Sequence, residues 1–181
     1  TPLVYYLLHA LDEDFPELFK VKVDFDGSLP RTPESELLYA RFVADACRRE
    51  HLPHFSARGV ARLVEHSARQ VAHQRRLSSR LGSLLDLIRE AGFWAAQRGR
   101  KLVDSADVTR AIEHRVYRVN LLEERMARMI GEGDLLIATD GQAVGQLNGI
   151  AVLVAGDHAF GKPARITART FAGEPGVVDI E

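Results

Sequence analysis

Hydrophobic positions change their spacing several times along the chain, and each change predicts a different element. Leu3, Tyr6, Leu7 and Ala10 follow one helical face, and Thr1-Pro2 reads as an N-cap with proline at the first helical position. A helix is therefore expected to about Asp12, and Phe15 to Phe19 suit a short helical turn. Val21, Val23 and Phe25 alternate with Lys22 and Asp24, which predicts a half-buried strand closed by Asp26-Gly27-Ser28-Leu29-Pro30. A lone strand is not stable, so its sheet partners are expected in sequence beyond this stretch.

From Thr32 the apolar spacing becomes helical throughout. Thr32-Pro33-Glu34 caps a helix to about Glu50, with acids in the first turn where the dipole favours them. His51-Leu52-Pro53-His54 breaks it. Ser56 caps a second helix that buries Val60, Leu63, Val64 and Ala68. A third is predicted from about Leu77 to Arg98 on the face Leu81, Leu84, Leu85, Ile88, Ala91 and Ala95. Asp104 with Asp107 three residues on resembles a capping box, and it opens a fourth helix expected to run unbroken to Ile130 and to stop at Gly131 and Gly133. Beyond Leu135 the grammar is that of strands. Asp140-Gly141 is a turn dipeptide, Val144 to Val152 and Ala164 to Phe171 alternate, and Val177 to Glu181 reads as a further strand.

The 181 residues are 46% hydrophobic and 27% charged, the composition of a globular protein. The net charge of −1 hides an asymmetry. The first 36 residues are acidic, whereas Ser56 to Arg118 holds roughly twice as many bases as acids. Such a basic stretch suits phosphate contact, or simply a solvated arginine-rich surface. One cysteine, Cys47, excludes an internal disulfide and a Cys-based zinc site, and its apolar neighbours predict a core thiol. His51, His54, His66 and His73 lack a convincing third ligand, so no metal site is expected. Tyr5-Tyr6 and Phe93-Trp94 read as packing positions. No apolar run is long enough for a membrane span. Without a signal peptide or initiator Met, the chain is expected to be a piece of a larger cytoplasmic protein.

The central order is specific. A helix from Ser56, then Leu77-Ser78-Ser79-Arg80-Leu81 opening a helix, then Leu102-Val103-Asp104-Ser105-Ala106-Asp107-Val108 heading the next resembles the helical lid of AAA+ ATPases. In that resemblance Arg80 is the sensor-2 arginine, contacting the γ-phosphate of ATP. A guanidinium at a helix N-terminal turn adds its charge to the positive dipole end, and both favour an anion. Glu17 to Phe25 is similar to the last strand region of the AAA+ core in Lon-like proteases of the LonB and LonC type. Val144 to Val152, with Pro163 to Arg169 and Gly176 to Glu181, looks like the opening of a Lon protease domain.

The resemblance implies a mainly α chain with a β-rich C-terminal part: the end of an AAA+ large domain (1–31), a helical lid bundle (32–118), and a linker helix with the first strands of a Lon-type α+β protease domain (119–181). It implies a parent that is an ATP-dependent serine endopeptidase, hexameric, using ATP and Mg to unfold and degrade protein substrates. This stretch has no P-loop, and no serine follows Ser105 to form the Ser–Lys dyad, with Lys162 most simply a turn residue; by itself it is expected to be inactive, with no catalytic residue. Lys20 stands where many AAA+ proteins place an arginine finger; it brings charge to a contact across subunits but no bidentate fork. The same residues leave two alternatives: a non-enzymatic helical module contacting nucleic acid through Arg69, Arg75, Arg76 and Arg80, or a Lon relative with a defective ATPase.

Overall fold

The computed structural model describes residues 2–156, 158–170, 172, 173 and 176. Among them are seven helices, and the long strands lie in the C-terminal part. The chain divides into two compact units, 1–108 and 109–181.

In the first unit, α1 (Pro2–Leu11) and the single turn α2 (Phe15–Leu18) come where the spacing predicts them. The expected strand at 21–25 does not form. Among the described residues no neighbouring strand pairs with this segment, so its backbone has no ladder to join, and Val21, Val23 and Phe25 stay exposed. The first strand is β1 (Ser28–Pro30).

Helix α3 (Pro33–Arg49) begins with a reciprocal cap. Thr32 accepts from the Ser35 backbone N–H, and Ser35 Oγ accepts from the Thr32 N–H at 2.8 Å. The helix buries Tyr39, Val43, Ala46 and Cys47, and it gives way to β2 (His54–Phe55) through His51 at φ 55°. Burial pushes the Cys47 thiol up, which fits the core role read from sequence. Helix α4 (Ala57–Gln70) is capped by Ser56 and buries Leu63, Val64, Ser67 and Ala68.

Leu77 and Ser78, expected to begin a helix, lie instead in β3 (Arg76–Ser78), which pairs antiparallel with β1, Ser28 opposite Ser78 and Leu29 opposite Leu77. Leu77 is thereby fully buried. Helix α5 (Leu81–Gln97) follows and buries Leu84, Leu87, Ile88, Ala91 and Ala95. Gly99, at φ +65°, turns the chain into β4 (Leu102–Val103), which runs parallel to β2.

The long fourth helix of the sequence reading is two helices, α6 (Ser105–Tyr117) and α7 (Leu121–Glu132). The ladder tightens where the Val119 N–H bonds the Val116 carbonyl, three residues back, and Asn120 begins the next helix with its amide on Glu124 at 3.1 Å. Val116 and Val119 are β-branched and weak in helices, which favours the break there. Gly133, at φ 85°, ends α7.

The second unit carries the hairpin β5 (Gln146–Ala155) and β6 (His158–Thr167), paired over its length from Gln146–Thr167 to Ala155–His158. Asp140-Gly141 is a turn but not the hairpin's turn. The strands reverse after Ala155, where Gly156 takes φ +62°. Residues 135–139 form no strand, although Asn148 Nδ2 donates to the Ala138 carbonyl. Thr1, Phe171 and the segment 177–181, for which a cap and strands are expected, lie outside the described residues.

Candidate functional site

The candidate site is built from β3 and the N-terminus of α5. The strand is held by a buried polar cluster. Tyr39 Oη lies 2.8 Å from Ser67 Oγ and donates to the Ser78 carbonyl, while the Ser78 N–H donates to Ser67 Oγ at 2.8 Å. Tyr39, Ser67 and Ser78 are all buried, so these bonds satisfy groups that would otherwise be stranded away from water. Burial pushes the Tyr39 hydroxyl up, keeping it a neutral donor. On the other side, the Ser79 N–H donates to the Gly27 carbonyl at 3.1 Å, and Arg76 binds Ser28 Oγ at 2.7 Å and Asp26 at 2.9 Å.

Arg80 follows this anchored strand. It occupies the N-cap of α5, its N–H bonds Ser78 Oγ at 3.2 Å, and its side chain provides no cap. The guanidinium is exposed and makes no ion pair among the described residues. A cation at a helix N-terminus is the wrong sign for the dipole and costs on the order of 0.3–1 kcal/mol. An anion bound there removes the conflict, because the guanidinium and the helix end then act together.

The other sequence candidates fare differently. Lys20 lies in the segment between α2 and β1, exposed and without a partner among the described residues. Its neighbour Lys22 is engaged instead: Nζ meets Tyr6 Oη at 3.0 Å and Asp24 at 2.9 Å, which raises its pKa above the ordinary lysine range, Tyr6 first. Of the four arginines of the nucleic-acid alternative, Arg69 pairs with Glu65 at 2.6 Å and Arg76 is taken by Asp26 and Ser28. Among the described residues no three His, Cys, Asp or Glu side chains converge as a metal site. No described helix is long and apolar enough to cross a membrane.

Sequence reasoning missed the Tyr39–Ser67–Ser78 cluster. A tyrosine on the buried stripe of a helix is the available signal, since its hydroxyl must find a partner inside. The Asp104–Asp107 step is now explained. Asp107, fully buried, accepts from the Asp104 N–H at 3.0 Å and from Arg98 at 3.0 Å, so one half of the box forms. Asp104 turns outward to accept from Ser56 Oγ at 2.8 Å.

The helical stretch that carries Arg80 belongs to the class of AAA+ lids by family match. Residues 54–118 match the family described as Archaeal LonB, AAA+ ATPase LID domain, and residues 1–26 match LonB-like, AAA domain. The chain is 29% identical over 156 residues to the Archaeal Lon protease of Thermococcus kodakarensis, covering 81% of this chain and 24% of that protein. It is 30% identical over 139 residues to that of Halobacterium salinarum (73% and 19%), and 29% identical over 150 residues to the Putative Lon protease homolog of Escherichia coli K12 (82% and 25%). The chain belongs to the Lon-like family of LonB type. It spans a quarter or less of the length of these relatives.

Proposed function

We propose that this chain carries the nucleotide-sensing lid of an ATP-dependent serine endopeptidase, and that Arg80 is its sensor. The reading divides the chain into the end of an AAA+ large domain (1–31), the lid (32–118) and the linker helix with the first part of a protease domain (119–181). The observation that carries it is the unpaired Arg80 at the uncapped start of α5, held by a buried cluster. These residues fit one end of ATP, the terminal phosphate; the described residues offer no ligand set for the Mg ion that accompanies it. The nucleotide supplies the phosphate charge, and Arg80 supplies a contact that differs between the triphosphate and diphosphate states. Such differential contact is what lets a ligand shift the lid between two positions. In this reading Lys20 contributes charge to a neighbouring subunit's nucleotide, the subunits form a hexameric ring in the cytoplasm, and the substrates are folded proteins.

Arg80→Ala in the full-length protein tests the assignment. Loss of a charge-assisted bond of about 1.5–3 kcal/mol is expected to weaken ATP-dependent degradation of a folded substrate by roughly ten- to a hundredfold. Cleavage of a short unstructured peptide stays near wild type. Unchanged degradation of the folded substrate sinks the sensor role. The nucleic-acid alternative retains only Arg75 and Arg80 of its four arginines unpaired among the described residues, and it requires duplex binding that weakens steeply with salt.

A further inference from the structure

The ladder of β1 and β3 has only three rungs, and a two-stranded pair of that length is marginal on its backbone bonds alone. Side chains add to it, and Arg76 adds the most hydrogen bonds. Its Nε donates to Ser28 Oγ at 2.7 Å, and one terminal nitrogen donates to the Asp26 carboxylate at 2.9 Å and to the Ser28 carbonyl at 3.1 Å. One guanidinium on β3 therefore takes hold of both a β1 residue and the turn that leads into it.

Asp26 is bound from three directions. Besides Arg76, its carboxylate accepts from the Ser28 N–H at 3.2 Å, closing an Asx turn, and its carbonyl accepts from the Ser79 hydroxyl. Ser79 also donates its N–H to the Gly27 carbonyl, and Arg80 is the next residue. A continuous path thus runs from Arg76 through Asp26 and Ser79 to the backbone of Arg80. Upstream of Asp26 the contacts turn toward α1 and α2: Lys22 binds Tyr6 and Asp24, and the rings of Phe15 and Phe19 lie 4.8 Å apart.

The Asp26 carboxylate is largely exposed and Arg76 partly so, and an ion pair in that setting contributes little to stability. A forked guanidinium contributes direction instead, because its donors lie in one fixed plane. We propose that Arg76 is a positioning residue for Arg80. By fixing Asp26 and Ser79 it sets the direction in which the start of α5 presents the Arg80 guanidinium to phosphate. The inference rests on the sensor reading above and adds a second residue to it. Its effect falls on triphosphate binding, since a diphosphate has no terminal phosphate for Arg80 to meet.

The test is a double-mutant cycle in the full-length protein, read by calorimetric binding of ATPγS and of ADP. Arg76→Met keeps an unbranched side chain and removes every donor. It is expected to weaken ATPγS binding by roughly three- to tenfold, to leave ADP binding within about twofold, and to add nothing once Arg80→Ala is present. Arg76→Lys keeps the charge and loses the fork, so it gives a smaller loss of the same selectivity. Circular dichroism checks the fold, and Arg76→Lys carries the cycle if the methionine variant does not fold. Wild-type binding of both nucleotides, equal losses for both, or losses that add to those of Arg80→Ala overturn the positioning role and leave the sensor reading standing. If Arg80→Ala alone binds ATPγS and ADP as wild type does, the sensor reading is overturned and this inference falls with it.

Discussion

Tyr39 and Arg80 illustrate what a single residue reveals before and after folding. Arg80 was readable as a cation near a helix start, because an apolar helical stripe follows it in the sequence; its contact with nucleotide is the proposal above. Tyr39 was legible only as a buried position. Its hydroxyl reaches Ser67, 28 residues on, and the Ser78 carbonyl, 39 residues on, and no local pattern encodes those distances. Tyr39→Phe leaves the ring packing and removes the donor, stranding the Ser78 carbonyl. The expected loss is about 1–2 kcal/mol of stability, measured by urea unfolding. If the cluster positions Arg80, ATP affinity falls in the same variant by more than the stability change explains. A variant that loses stability and keeps ATP affinity assigns the cluster to the core alone.

Among elements, the caps were readable and the partners were not. Ser56 and Thr32 start helices where the sequence puts them, because a side-chain oxygen three residues before its donor is a local device. The break at 118–120 and the strand β3 were missed, since apolar spacing at Leu77 and Val119 serves either a helix or a short extended turn. Gly59 marks a contact between elements. A Cβ there would lie 2.8 Å from the Val103 carbonyl oxygen, so α4 sits on β4 at a distance only glycine allows. Gly59→Ala is expected to lower stability by about 1–3 kcal/mol, read from thermal or denaturant unfolding, against the gain a helical alanine normally brings. The Ser56–Asp104 bond joining the same elements gives a pH signature. Ser56 chiefly holds the Asp104 carboxyl below the usual carboxylate range. A depressed folded pKa means the contribution is present above the unfolded pKa and fades as pH falls through the folded one. Asp104→Asn should therefore flatten the acid side of a melting-temperature profile, and an acid limb identical to wild type would refute the link.

At the scale of the whole chain, the mainly α character with late strands was readable from periodicity, and the lid from the resemblance that three helix starts carry. The division into units at 108 and 109 was not, because α6 runs through it without a change in pattern. Apolar residues of α1, α7 and β5 remain largely exposed, Leu11, Leu121, Ile150 and Val152 among them. The three-rung ladder of β1 and β3 bears on how load enters the first unit. Gly27 and Ser79 stand at the same end of that antiparallel pair, one leading in from the N-terminal segment and the other leading to Arg80. Tension between those two ends opens the rungs one after another, as in a zipper, instead of shearing them at once. The first to yield are the Ser79–Gly27 bond and the Ser28–Ser78 rung, next to the arginine. A mechanical strain on the entry segment thus reaches Arg80 before it reaches the hydrophobic core.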